Sequence, residues 1–357
     1  MKNKILLIFT GGTIGSATKD SITNIDSNAR YHLIENYNKL SGCKDVIFDV
    51  YEPLSILSEN LIPSDWTSLI DSIRSKPLAE YSGIIVTHGT DTLPYTSAVL
   101  SYAFNALSIP LVVVASNSPL GEPESNGLHN FIAAVNFITD AAIPGIFVIY
   151  QDANGDSIIH LGTRLTEALP FTHQFRSQKD AYFGKMIGEK FIHNKSSTYG
   201  PSITEILNRE VFTFDTLSFS DKILCIKPYP GLNYDMFDFS LSRPKAILHD
   251  LYHSGTACVR LLGANNQYSL LSFVHRCKSK NIDFYVAPLS VASGTRYATS
   301  AEFLDAGVIP MSDISTEAAI AKLSLAYGSF RDRNTIQEFL NRDIFFEFIR
   351  ATQLKSI

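Results

Sequence analysis

Five short apolar runs recur through the first 150 residues: ILLIF (5–9), VIFDVY (46–51), GIIVT (83–87), LVVVA (111–115) and GIFVIY (145–150). Runs this continuous suit strands buried on both faces, the condition of a parallel sheet whose crossover helices cover both sides. The stretches between them carry helix starts. Pro63-Ser64-Asp65 precedes WTSLIDSIRS with Ser64 as the expected N-cap, and Asp91 or Thr92 precedes LPYTSAVLSYAF with a proline in the first turn. Alternating strands and helices commit the chain to an α/β, doubly wound architecture. They also direct attention to the loops after strands, because open α/β sheets bind ligands beyond the carboxyl ends of their strands.

The rhythm fails between about 194 and 220, where NKSSTYGPSITEILNREVFTFDTLSFS is rich in Ser and Thr. This segment is the expected linker (196–220) between a larger N-terminal domain (1–195) and a smaller C-terminal one (221–357), both with doubly wound parallel sheets. A chain of 357 residues has the length for two such domains. In the second, ILCIKPYPG, KAILHDLY and IDFYVAP are expected strands and LLSFVHRCK a helix. Thr299 and Glu302 are expected to form a capping box that Gly307 closes, and the tail from 315 to 354 to hold two or three helices.

Several functional classes are disfavoured by the totals. A net charge of −5 gives no basic footprint for nucleic acid or an anionic membrane, and no stretch approaches the roughly 20 apolar residues of a membrane span. The basic start MKNK leads into an apolar run of five residues (5–9), short of a signal-peptide core, so the expectation is a cytoplasmic protein. Cys43, Cys225, Cys258 and Cys277 lie far apart without metal-ligand spacing, which predicts reduced thiols and no zinc site.

Two post-strand loops are unusual. The first, FTGGTIGS (9–16), lacks the G-x-G-x-x-G spacing of a dinucleotide fingerprint and the Gly-Lys-Ser/Thr of a Walker loop, and ATKDSITNIDSNARY after it has no helical apolar face. Glycines flanking Thr13 instead allow a sharp turn that bares the threonine hydroxyl beside backbone N–H donors, the parts of a nucleophile with an oxyanion hole. A plain tight turn is the bland alternative. The second loop, THGTDT (87–92), packs three hydroxyls, an imidazole and a carboxylate into a strand-to-helix junction. Helix capping accounts for Asp91 and Thr92 but not for Thr90.

Together, TGGTIGS and GIIVTHGTDTLPYTSAVLSY resemble the two signature motifs of the L-asparaginase family, amidohydrolases of side-chain amides. SENLIPSDW (58–66), SPLGEPESNGLHNFIAA (118–134), YPGL (229–232) and YATSAEFLDAGVIPMSDISTEAAIAKL (297–323) extend the resemblance, most closely to the cytoplasmic type I branch. The resemblance implies Thr13 as the nucleophile in a turn with Gly12, Thr90 as the second catalytic threonine after Gly89, and Asp91 as the grip on the substrate α-amino group. It further implies Ser58 as a contact to the α-carboxylate. No metal or organic cofactor is implied, and the implied partners are an amide-bearing amino acid or peptide and further copies of the chain, as a homodimer or homotetramer.

Four positions depart from the family pattern. In GTRLTEAL (162–169) Glu167 stands where the resemblance implies a lysine that assists proton transfer, placing a carboxylate in the cavity of Asp91. The expected outcomes are that Glu167 relays a proton, that it binds a cationic group, that Lys179 or Arg176 fills the lysine's space, or that Glu167 is simply solvated. Glu59 follows Ser58 where a neutral residue is usual. The region about ten residues past Thr13, SITN (21–24), lacks the usual tyrosine, Tyr31 being the nearest, and Thr256 replaces the asparagine of Y-x-x-G-N. Three readings follow: an amidohydrolase of altered specificity, an ordinary asparaginase, and a non-catalytic binding or regulatory protein on the same scaffold. A tRNA amidotransferase component is less expected, since the chain begins at the first motif.

Overall fold

A computed structural model describes residues 3–19, 22–25, 29–40, 45–262, 266–290 and 297–350, with backbone alone at 17–19, 22–25 and 29–30. The chain divides into two compact units, one holding Met1–Asp215 together with Ile344–Ile357 and the other Thr216–Asp343.

The first unit is built on β1 (Asn3–Phe9), β4 (Val46–Tyr51), β5 (Gly83–Thr87), β6 (Pro110–Val114) and β7 (Gly145–Gln151), with a hairpin of β2 (Ser16–Lys19) and β3 (Ile22–Ile25) after β1. The strands β8 (Ser157–Leu161), β9 (Gly184–Ile187) and β10 (Lys190–His193) complete an eight-stranded sheet in the order β10-β9-β8-β7-β6-β5-β1-β4. The five predicted runs form its parallel part, and β5, β6 and nearly all of β1 and β7 are buried, as continuous apolar runs require. The three antiparallel strands were not anticipated. They alternate exposed and buried residues more than the parallel strands do, and His160 and His193 interrupt their apolar pattern.

Around this sheet lie α1 (Ala29–Lys39), α2 (Pro63–Arg74), α3 (Leu93–Ala103), α4 (Gly127–Asp140) and the short α5 (Ile203–Leu207). Burial covers every residue of α3 except Tyr95, the behaviour of a helix apolar on all sides. The N-cap of α2 is Ile62, whose N–H donates to Asp65 Oδ2 at 2.9 Å. Ser64 therefore lies inside the helix instead of capping it, because Asp65 supplies the acceptor first.

The boundary after Asp215 falls inside the segment 196–220 expected as the linker, and the described chain is packed on either side of it. Before it, the half-buried Arg209 guanidinium donates to the carbonyls of Asn105, Leu107, Pro144 and Ile206, pinning the stretch after α5 to the first unit. Beyond the boundary, Ser218 and Ser220 hydrogen-bond to Ser329 and Ser324 of the second unit. Residues 344–350 likewise return to the first unit, where Glu347 accepts from the N–H groups of Ile344 and Phe345.

The second unit holds β11 (Ile223–Ile226), β12 (Ala246–Asp250), β13 (Asp283–Leu289) and β14 (Ile309–Ser312), all parallel and in chain order. Its core joins Ile247, Phe284 and Val286 of the sheet to Phe273 and Val274 of α6 (Leu270–Ser279) and Phe303 of α7 (Ala298–Asp305), while α8 (Thr316–Ser329) packs on the sheet and α9 (Arg333–Asn341) on α8. Tyr297, without a side-chain cap, precedes α7, so Thr299 and Glu302 sit within the helix and form no capping box. Gly307, at φ +80°, ends it as expected.

Candidate active site

In the first unit the strand order reverses at β1 and β5, the place where diverging connections open a crevice at the strand ends. The two unusual loops leave these two strands. After β1 the chain passes through Gly11 (φ +94°) and Gly12 (φ +71°, ψ −175°) into a single 3-10 turn, Thr13–Gly15, and then into the β2–β3 hairpin. No helix follows, which removes the phosphate-cradle geometry of a dinucleotide fold. The turn is fixed from within: Gly15 N donates to Gly12 O at 3.0 Å and Ser16 Oγ to the same oxygen at 2.7 Å. Gly12 N donates to Ile56 O at 3.0 Å and Ile56 N to Thr10 O at 3.1 Å, tying the turn to the segment that leads to Ser58.

Glycine at 12 and 89 lets the loops meet backbone against backbone. A Cβ on Gly12 would stand 2.5 Å from Gly89 Cα, and one on Gly89 would stand 2.6 Å from Ser58 Cβ. Ser58 is thus buried against Gly89, and its carbonyl accepts from Thr92 Oγ1 at 3.0 Å. Thr92 occupies the N-cap position of α3, yet its hydroxyl makes no cap bond; it ties the second loop to the Ser58 segment instead. The His88 ring is buried, its Nδ1 donates to Gly89 O at 2.8 Å, and desolvation pushes its pKa down to about 4. A neutral, fixed imidazole in this place orients the Gly89 peptide.

Thr13, Thr90, Asp91 and Glu167 line one cavity of about 810 Å³. Its other walls come from Asn117 to Glu124 after β6 and from Ala168 to Phe175. Glu167 arrives there along α3. Gly162 packs on the middle of that helix, where a Cβ would stand 2.7 Å from Ser97 O, and Ser97 Oγ donates to Gly162 O at 2.8 Å. From there the chain runs back to the first turn of α3, where the Tyr95 hydroxyl donates to Glu167 Oε1 at 2.5 Å. Bridges between Leu165 and Ser177 and between Leu169 and Gln174 fold residues 165–177 into a narrow hairpin strap over the cavity.

The foot of the strap is deeply anchored. Arg164 is buried and donates from Nε to Phe346 O at 2.6 Å, from Nη2 to Phe348 O at 3.3 Å, and from Nη1 to Tyr199 O. The buried His160 ring, with its pKa lowered to about 3 by desolvation, bonds Ser177 Oγ at 2.8 Å.

Glu59 is exposed and is not among the cavity-lining residues, and Gly12, Ser58 and Gly89, which also do not line it, act as the packing behind the threonines. Neither Lys179 nor Arg176 is among the cavity-lining residues: Lys179 Nζ stands over the Tyr199 ring at 4.3 Å, and Arg176 contributes its carbonyl to Thr166 of the strap. Tyr31 is exposed, Ser21 lies outside the described residues, and of Ile22–Asn24 only the backbone is described. Thr256 Oγ1 is 3.0 Å from Ser254 Oγ in a turn closed by Gly255 N donating to Tyr252 O. Cys225, Cys258 and Cys277 carry free thiols, Cys277 buried with its pKa raised to about 12 by desolvation, and Cys43 lies outside the described residues.

Residues 4–199 match the family described as "Asparaginase, N-terminal". The chain belongs to the asparaginase family. Among curated relatives of this amidohydrolase family, L-asparaginase of Thermococcus kodakarensis is 28% identical, covering 96% of this chain and 98% of the relative. A component of the glutamyl-tRNA(Gln) amidotransferase of Thermofilum pendens is 27% identical, covering 98% of this chain and 76% of the relative. Identity therefore does not separate these two kinds of asparaginase-family protein. Of solved structures, the T. kodakarensis L-asparaginase superposes with a TM-score of 0.77 at 27% identity over 97% of this chain and 99% of its own. L-asparaginase I from Vibrio cholerae gives 0.74 at 21% over 98% and 99%, a likeness of fold.

The two-domain α/β asparaginase architecture expected from the motifs is the one found. Sequence reasoning did not single out Glu122, Glu124, His173 or Tyr95. The first two lie inside the SPLGEPES segment, where their place one loop along from THGTDT, after the next parallel strand, was the available signal.

Among the described residues no group of three His, Cys, Asp or Glu is placed to hold a metal ion, and no helix is long and apolar enough to cross a membrane.

Proposed function

We propose that the chain is a cytoplasmic amidohydrolase that cleaves a side-chain carboxamide through Thr13, acting on a modified or peptide-linked asparagine or glutamine in preference to the free amino acid. The observation that carries the reading is that Thr13, Thr90 and Asp91, from two loops brought together by paired glycines, line one cavity with Glu167. In the first step the Thr13 Oγ–carbonyl bond forms while backbone N–H groups of the turn receive the oxyanion. The carbon–nitrogen bond then breaks, and nitrogen departs as ammonia with the proton that Thr13 gave up, relayed by Thr90. Water adds to the acyl-enzyme, its proton returns to Thr13, and the acid leaves. Asp91 receives the substrate α-ammonium, and Ser58 and Gly89 hold the backbone that frames the α-carboxyl end. Side chains and water complete the reaction as drawn, and further copies of the chain are its expected assembly partners.

An amide-binding protein on the same scaffold is the second reading, favoured by one observation: among the described residues, no lysine or arginine lines the cavity to assist the proton relay. Ammonia release from asparagine, glutamine and dipeptides containing them separates the readings. Hydrolysis of at least one amide is expected, with a loss of at least roughly 10⁴-fold in Thr13→Ala. Activity that survives Thr13→Ala would remove the nucleophile assignment, and binding of amides without release would favour the second reading.

A further inference from the structure

The cavity is larger and more acidic than a free amino acid demands. About 810 Å³ is within the range of sites that enclose ligands much bigger than asparagine. Among the described residues, Asp91, Glu122, Glu124 and Glu167 line it together with His173. Asp91 is matched by the substrate α-ammonium in the proposed reaction, which leaves three further carboxylates facing the same space.

Two of these three carboxylates are carried by a stiff loop. Asn117 and Asn126 clasp each other, Asn117 N to Asn126 Oδ1 at 3.0 Å and Asn126 N to Asn117 Oδ1 at 2.9 Å. Asn117 Nδ2 donates to Glu124 O at 3.1 Å, and Ser125 Oγ to Ser118 O at 2.9 Å. The third, Glu167, is held by the Tyr95 hydroxyl on α3. A backbone held at Glu122 and Glu124 and a carboxylate held at Glu167 reduce the reorganisation needed when a ligand arrives. Leu169, Pro170, Phe171 and Phe175 of the strap add an apolar wall beside them.

We propose that the carboxamide substrate is cationic: an asparagine or glutamine unit joined to a group that carries an ammonium or guanidinium, seated on Glu122, Glu124 and Glu167 while its aliphatic stem lies against the strap. The inference rests on the proposed amide hydrolysis for its substrate geometry, but charge selection by the cavity is measurable without turnover. A free amino acid, by contrast, brings its α-carboxylate into a cavity of like charge.

The test uses the dipeptides Asn-Arg, Asn-Gln and Asn-Glu and their glutaminyl counterparts with the full chain, following ammonia release, and calorimetric binding of the same dipeptides to Thr13→Ala. Expected are kcat/KM and affinity in the order cationic, neutral, anionic, with the outer two on the order of tenfold apart or more, as for a charge-assisted hydrogen bond. In Glu122→Gln/Glu124→Gln the cationic-to-anionic ratio falls several-fold. It also falls in the parent protein at 1 M salt, where screening contracts to roughly 3 Å. Equal or reversed preference in an enzyme that hydrolyses these amides overturns the charge inference and spares the hydrolysis. Absent hydrolysis with preserved cationic preference in binding does the opposite.

Discussion

Gly12→Ala is the sharpest perturbation of the scaffold. At φ +71° and ψ −175° residue 12 occupies a backbone region open essentially to glycine, and forcing a side chain there costs about 1–3 kcal/mol. The added Cβ would also stand 2.5 Å from Gly89 Cα and 2.7 Å from the His88 carbonyl carbon. These are backbone atoms that cannot rotate away, and overpacking of this kind costs about 1–3 kcal/mol more. A total loss of about 2–6 kcal/mol is therefore expected. Within the same motif, Gly15→Ala is the control: a Cβ there meets nothing within 4 Å and the φ is not positive, so the change is expected to stay within about 0.5 kcal/mol. Urea unfolding followed by the fluorescence of Trp66, the one tryptophan of the chain and a buried residue of the first unit, measures both. Amide hydrolysis should fall far more in Gly12→Ala than in Gly15→Ala, because the strained variant separates the two threonine loops. Equal stability of the two variants would refute the close approach of Gly12 and Gly89 and, with it, the shared cavity.

Arg164→Ala leaves the carbonyls of Phe346, Phe348 and Tyr199 without their donor and is expected to destabilise by about 2–4 kcal/mol in the same urea assay, with the strap loosened and KM raised. A loss below about 1 kcal/mol would show that the strap has another anchor. Acid should weaken the first unit through His88 and His160, whose folded pKa values of about 4 and about 3 lie below the ordinary 6.5. Between pH 6.5 and 4 the unfolded chain binds the protons, so this stability is complete above pH 6.5 and is lost as pH falls, by about 2 kcal/mol per histidine at pH 5. His160→Gln, compared at pH 7 and pH 5, should flatten the slope by that amount, and an unchanged slope counts against a neutral buried His160. Tyr95→Phe removes the donor to Glu167 and is expected to change stability by less than about 1 kcal/mol while narrowing the preference for cationic over anionic dipeptides several-fold. An unaltered preference would detach Glu167 from substrate charge.

The parallel core was readable because β1, β5, β6 and β7 are buried on both faces and so print as unbroken apolar runs, from Ile5–Phe9 to Ile146–Tyr150, while the edge strand β4 is only half-buried. The meeting of the Thr13 and Thr90 loops at one cavity was readable because the backbone contact of Gly12 and Gly89 demands glycine beside each threonine. Other features depend on partners distant in the chain and leave no local pattern. Arg209 looks like one more polar residue of a Ser/Thr-rich stretch until the carbonyls of Asn105, Leu107 and Pro144 meet it. Asp65 takes the capping role from Ser64 through a single hydrogen bond to Ile62 N, a choice between neighbours that propensity cannot rank. The place of Glu122 and Glu124 beside Thr90 becomes visible only when β5 and β6 are known to be adjacent.

These two kinds of constraint divide the site into parts that can change at very different cost. Gly12, Gly89 and Gly162 are fixed by neighbouring atoms 2.5–2.7 Å from any added Cβ, so substitution there damages the fold before it alters the chemistry. Glu167, by contrast, is held through its side chain, which accepts from the Tyr95 hydroxyl, and the strap that carries it is anchored at Arg164 and at the Ser177 bond to His160, outside the cavity. A change of residue at 167 therefore leaves intact the close contacts of Gly12 with Gly89 and of Gly89 with Ser58 that hold the threonine loops. Under the proposed amide hydrolysis, two glycine-threonine loops beside a carboxylate at 167 are the pattern expected of a reacting centre joined to selection for a cationic amide.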